Sequence, residues 1–166
     1  MKTETRLAAA AGALLAALGL TATAASAASA DDWGQRAPGQ HLYDMAHVLT
    51  PVQTADLEAS AAAVDRAGAP TVVYLRLKAA DDQVTRQDAR ALMDAWTLES
   101  APGARDGLVL MLNLRPDDPR HGSAALVAGI AHAGDGTLSD ARLQSVYSDA
   151  MMPRLARGDM AAALSA

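Results

Sequence analysis

Residues 108–114 read Leu108-Val109-Leu110-Met111-Leu112-Asn113-Leu114, a nearly continuous apolar run. It is short, β-compatible and without polar alternation, which marks a strand covered on both faces. A strand covered on both faces needs helices above and below it, so this run decides for an α/β fold. Upstream, Thr71 to Leu77 (TVVYLRL) is rich in β-branched and aliphatic residues and reads as a second strand. Between the two, Ala89, Leu92, Met93 and Trp96 recur at i, i+3, i+4 and i+7, the stripe of an amphipathic helix. Thr85 is the expected cap of that helix, with Asp88 at its third position, and Ser100 to Gly103 breaks it.

Further outward, Thr50-Pro51 opens an earlier helix. Thr50 suits the N-cap, Pro51 the first helical position, and Gln53 completes a capping box. Leu57, Ala61 and Val64 follow at helical spacing, and Gly68 is a natural stop. On the other side, Arg115 to Gly122 is a polar loop and Ala124 to Ile130 a third strand. A loop containing Gly134-Asp135-Gly136 leads to a third helix capped by Ser139 or Thr137. Gly158-Asp159 opens a last helix that stops at Ala166, as if truncated. Strand, helix, strand predicts a parallel pair with a right-handed crossover, and the short loop after the second strand predicts an antiparallel third. The expected architecture is a three-layer α/β sandwich: a small, mostly parallel mixed sheet with helices on both faces.

The chain has 166 residues, enough for one ordinary domain. It has no cysteine, which excludes disulfides, thiolate metal sites and a cysteine nucleophile. Its net charge is −5 with no basic stripe, which argues against nucleic acid as a partner. Aromatics make up only 3%, so Leu, Val, Met and Ala must build the core. Residues 1–30 read as a signal peptide: Lys2 and Arg6, then an Ala/Leu run from Leu7 to Leu20, then small-x-small sites at Ala25-Ser26-Ala27 and Ala28-Ser29-Ala30. The chain is therefore expected to be exported, to the extracellular space or cell envelope. No transmembrane span is expected in the mature part, because no later run approaches the roughly 20 apolar residues needed. Residues 31–41 read as a flexible lead-in, with Trp33 as a candidate docking residue.

Leu42-Tyr43-Asp44-Met45-Ala46-His47-Val48-Leu49-Thr50 resembles the opening signature of the TPM domain family, also known as TPM phosphatase or Psb32-like. Arg105-Asp106-Gly107-Leu108-Val109-Leu110 resembles the family's acidic-pair-glycine approach to a central strand. Ala128-Gly129, Leu138-Ser139-Asp140 and Met152 through Asp159 resemble its later blocks, in the same order. The resemblance covers roughly residues 42–164, and the domain is read as 42–166. It implies a secreted or membrane-tethered α/β domain, acid phosphatase activity, divalent-metal (calcium) binding, and work beside membrane protein complexes, including photosystem repair. Two departures stand out. Arg105 replaces one acid of the pair, and Gly129-Ile130-Ala131 lacks the second glycine of a Gly-x-Gly segment.

Four carboxylates are the candidate metal ligands for Ca2+ or Mg2+, hard cations that take oxygen donors. The resemblance points to Asp44 and Asp106, and Asp140 stands where the family often has Asp or Asn. Asp135, between two glycines, is added from the residues themselves. Each has a plainer reading: Asp44 and Asp135 as turn acids, Asp106 as a turn residue or the partner of Arg105, Asp140 as a first-turn acid on a helix dipole. A metal-assisted phosphatase would polarise a phosphoryl oxygen and activate water. No Walker loop and no DxD phosphoaspartate motif offers another route. Two functions stay open: a divalent-metal-binding accessory module in an envelope or membrane complex, or a metal-dependent acid phosphatase acting on phosphomonoesters.

Overall fold

The computed structural model describes residues 33–134 and 138–165. The expected signal peptide lies outside the described residues. Four strands form one sheet in the order β1-β2-β3-β4: β1 (Leu42–Asp44), β2 (Thr71–Leu77), β3 (Leu108–Leu114) and β4 (Gly122–Ala128). The first three run parallel and β4 is antiparallel to β3. The helices are α1 (Pro51–Arg66), α2 (Asp82–Ala95), α3 (Asp140–Val146), α4 (Met152–Leu155) and α5 (Met160–Leu164). The α/β sandwich with a mixed sheet is thus the observed fold.

The strand residues sort by parity. Val72, Tyr74, Val109, Met111, Ala125 and Val127 face α2, with Ala89 and Leu92 buried against them. Val73, Leu75, Leu110, Leu112 and Leu114 face the other way, against Leu57 and Ala61 of α1 and Ala163 of α5. Period two explains the split, since successive side chains point to opposite faces. The order β1-β2-β3 advances in one direction, yet α1 and α2 lie on opposite faces. The two crossovers therefore have opposite hands, and the right-handed rule holds for only one of them.

Several expectations need correction. β1 was read only as part of a motif and is a fourth strand; at three residues it is too short to show a pattern. α2 starts four residues early because Asp81 caps it, its side chain accepting the Val84 amide. Thr85 is instead fully buried inside the helix. The third strand is Gly122–Ala128 rather than 124–130, since Ile130–Gly134 winds into a 3-10 turn. Trp33 is no surface residue. It is 2% exposed, edge-on to Tyr74, with the Arg76 guanidinium 4.1 Å from its ring centroid. Four of the five aromatic residues (Trp33, Tyr43, Tyr74 and Trp96) cluster there. Burying one such ring contributes roughly 2–3 kcal/mol, which ties the lead-in to the sheet.

Other local rules hold. Thr50 and Gln53 form the capping box, and Gly68 follows α1 at φ +105. Between α3 and α4 the chain takes a π-helical turn, Tyr147–Met151. Pro153 has no N–H to give the carbonyl four residues back, and the helix widens just before it. The Arg154 side chain donates to the Ala150 carbonyl in that stretch.

β1 forms one edge of the sheet, and most of its outward backbone groups are taken. Register places Tyr43 toward β2 and turns Leu42 and Asp44 outward. The Leu42 N–H donates to Glu58 Oε2 at 2.7 Å and its carbonyl accepts from Gln40 Nε2 at 2.9 Å. The Asp44 carbonyl accepts the His47 amide. Glu58 also accepts the His41 amide, and the His41 ring lies between Glu58 (2.7 Å) and Asp65 (3.3 Å).

Candidate functional site

A cleft of about 930 Å³ lies between the C-terminal half of α2, the end of β4 and the start of α3. Arg90 and Met93 come from α2, Arg105 from the turn before β3, Val127 to Ile130 from β4 and beyond, and Asp140 from α3. Its backbone is tightly drawn. A Cβ on Gly129 would lie 2.0 Å from the Arg105 carbonyl oxygen, and one on Gly107 would lie 2.2 Å from the Leu98 oxygen. Both positions therefore require glycine. Thr97 (φ 45) and Arg105 (φ 51), both on the cleft wall, take left-handed conformations that L side chains rarely adopt. For a β-branched residue such as Thr97 this is strain, on the order of 1–3 kcal/mol, and strain of this kind concentrates at working sites.

Three of the four candidate ligands are described, and these do not converge here. Asp44 ends β1, at the C-terminal end of the parallel strands. Its Oδ2 accepts the Leu49 amide at 2.9 Å, while Oδ1 is buried without a hydrogen-bond partner among the described residues. Asp106 precedes β3, at the opposite end. It accepts both the amide and the hydroxyl of Ser100, and these bonds hold its carboxyl below its ordinary value. Asp106 is thus a turn acid, and its partner is Ser100 rather than Arg105. Register aligns Asp44 with Leu75 and Leu75 with Leu112. Asp106 lies six residues before Leu112, or about 20 Å along the strand at roughly 3.3 Å per residue. One cation with oxygen ligands at roughly 2.3–2.6 Å cannot bridge that gap. Asp140 is exposed in the first turn of α3 and does face the cleft. Asp135 lies outside the described residues. Among the described residues no three His, Asp or Glu side chains are placed to hold a metal ion. Among the described residues, Asp44 and Asp106 cannot share one divalent cation.

A buried polar cluster at the other end of the sheet was missed. Arg76, Asn113 and Ser123 are register partners across β2, β3 and β4. Arg76 Nε donates to Asn113 Oδ1 at 2.8 Å, and Asn113 Nδ2 donates to Asp88 Oδ2 at 2.8 Å and Thr85 Oγ1 at 3.0 Å. Thr85 and Ser123 share a short hydroxyl contact. Asp88 also binds Lys78 Nζ at 2.7 Å and pairs with Arg76 Nη2 at 2.6 Å. Burial alone would raise the Asp88 carboxyl. The hydrogen bonds from Lys78, Asn113 and Arg76 outweigh it and hold the group below its ordinary value. The signal was present: each of the two apolar runs carries one polar residue, in its sixth place. Every member of the cluster is paired to another, so it fastens α2 to the sheet.

The comparisons with known proteins follow this geometry. The family model described as TPM domain matches residues 42–166. No curated protein matches the chain. Among solved structures, the N-terminal domain of a protein from P. gingivalis, determined in solution by NMR, superposes with a TM-score of 0.58 at 22% identity. The match covers 75% of this chain and 74% of that one. At that identity the likeness concerns the fold alone.

Proposed function

Since the chain belongs to the TPM domain family, we propose that it is an exported, envelope-associated binding module whose ligand occupies the cleft between α2 and α3. One observation carries this reading: a wide, strained cleft lies at one end of the sheet, while the carboxylates expected to do metal chemistry are dispersed, two of them at opposite ends. Catalysis needs groups converging at about 3 Å on one reacting atom, and a binding site does not. A calcium or magnesium ion in the cleft would have to be held by Asp140 together with groups outside the described residues. Export rests on the composition of residues 1–30. Among the described residues no helix is long and apolar enough to cross a membrane.

The deciding experiment is hydrolysis of an aryl phosphate at acidic pH, with and without chelator, by the wild type and by Asp106→Ala and Asp140→Ala. The expected result is no chelator-sensitive turnover. Turnover abolished by chelator and by Asp140→Ala would replace the binding module with the metal-dependent phosphatase. A calcium titration followed by thermal melting checks the cation separately, because binding to the folded state raises Tm by mass action. The N-terminal residue of the secreted protein, expected near Ala28 or Asp31, checks export.

A further inference from the structure

The second edge of the sheet is built differently from the first. Gly129 donates to the Gly107 carbonyl and Arg115 to the His121 carbonyl, which fixes odd-numbered residues of β4 as those bonded to β3. Ala124, Leu126 and Ala128 therefore turn their N–H and C=O groups away from the sheet. Among the described residues none of these groups has a protein partner. The edge runs along the floor between α2 and α3. At Ala124 and Leu126 it faces a space of only about 40 Å³ under Leu143 and Tyr147, while at Ala128 it opens into the large cleft.

We propose that this cleft takes an extended peptide segment of a partner protein, which pairs with the β4 edge at Ala128 and lies along the cleft floor. The proposal rests on the reading of the cleft as a binding site and names what binds there. The unpaired N–H and C=O of Ala128, side by side on an extended edge, are matched by another extended main chain. A second copy of this domain does not fit, because its own β4 edge is equally recessed between two helices. The walls carry both signs, Arg90 and Arg105 against Asp94 and Asp140, so side-chain charge selects weakly. Ile130, 69% exposed beside the edge, offers an apolar contact to one side chain of the segment.

The test uses the purified chain, isotope-labelled, and a capped Thr-Val-Ala-Val-Thr peptide as probe. Two further versions of the probe are N-methylated at alternate amides, one for each register. The unmodified probe is expected to shift the Ala128 amide and its neighbours in the cleft and to protect Ala128 from exchange. Methylation in one register is expected to weaken binding at least about tenfold, the equivalent of roughly one or two lost hydrogen bonds. Ala128→Pro removes an N–H that β3 does not use and is expected to cause a similar loss. Should that variant not fold, the methylated probes decide alone. No shift at these amides with millimolar probe, or equal binding of all three probes, overturns the proposal. Equal binding with shifts confined to the cleft walls would overturn strand addition yet keep the cleft as a binding site. Chelator-sensitive hydrolysis would remove the reading beneath both. Shifts that depend on protein concentration rather than on probe would assign the edge to a second copy and overturn it as well.

Discussion

The two edges of this sheet solve one problem in opposite ways. Unpaired strand edges recruit other chains unless they are covered. At β1 the outward groups of Leu42 are taken by Glu58 and Gln40, and His41 is clasped between Glu58 and Asp65. At β4 the outward groups of Ala124, Leu126 and Ala128 meet no side chain among the described residues, and helices shield them only sideways. A sealed edge costs specific side chains, whereas a recessed edge costs only the placement of two helices. The second arrangement keeps folded neighbours out while leaving room for a single extended chain. The contrast turns the question of function from which acids hold a metal to which edge is open and what holds its walls in place.

The wall on the α2 side is held by Asp88, so its removal is expected to have the largest effect. Asp88→Ala leaves Arg76 without its ion-pair partner and deprives Asn113 and Lys78 of an acceptor. Breaking a buried pair on one side costs about 3–5 kcal/mol. Urea unfolding should show that loss. Exchange at Ala128 should be little altered, since its N–H is already unpaired, while exchange at Val127, bonded to β3, should accelerate. A stability loss below about 1 kcal/mol would mean that the cluster does not fasten α2.

Glu58 tests the sealed edge, with a smaller effect. Glu58→Ala frees the amides of His41 and Leu42 and is expected to cost about 2 kcal/mol, the scale for hydrogen bonds to a charged group. Its pH dependence has a definite sign. Burial would raise the Glu58 carboxyl, but bonds from the His41 side chain and from the Leu42 and His41 amides win and lower it. A group whose folded pKa is depressed contributes stability above its unfolded value, 4.5 here, and that contribution fades as pH falls through the lower folded value. Between pH 6 and 3, protection of the Leu42 amide should fall in the wild type. In Glu58→Gln that dependence should flatten, and the open β4 edge should not respond because no titratable side chain bonds it. Equal slopes in wild type and Glu58→Gln would show that Glu58 does not carry the seal.

Much of this contrast was readable in advance, and its unread part has physical causes. The runs at 71–77 and 108–114, the capping box at Thr50 and the antiparallel return after Leu114 follow from local chemistry, which acts over a few residues. β1 escaped because three residues contain no period. The Asp88 cluster escaped although Arg76 and Asn113 stood out as single polar residues in apolar runs, because only register makes them neighbours. Trp33 was misplaced because its polar flanks, Asp31-Asp32 and Gly34-Gln35-Arg36, describe the chain around it and not the Tyr74 and Arg76 side chains that cover it. The separation of two candidate ligands escaped for a related reason. Asp44 and Asp106 both border strands, and nothing in their spacing tells that one ends a strand while the other precedes one, at opposite ends of a parallel sheet.

The smallest expected effect comes from the strained wall of the open edge, and it runs in the opposite direction. Thr97 holds φ 45 directly after α2, where a β-branched side chain crowds its own backbone. Thr97→Gly removes that conflict, but the unfolded chain gains freedom that folding must then take away. The strain is the larger of the two for a β-branched residue, so the variant should be more stable by about 0.5–1 kcal/mol, read as a small rise in Tm. Stability gained at this position with weaker binding of the probe peptide would mean that the cleft wall is kept in a costly shape for the sake of its occupant. Stability gained with unchanged binding would confine the strain to ending the helix and leave Arg105, at φ 51, as the strained residue whose conformation shapes the open edge.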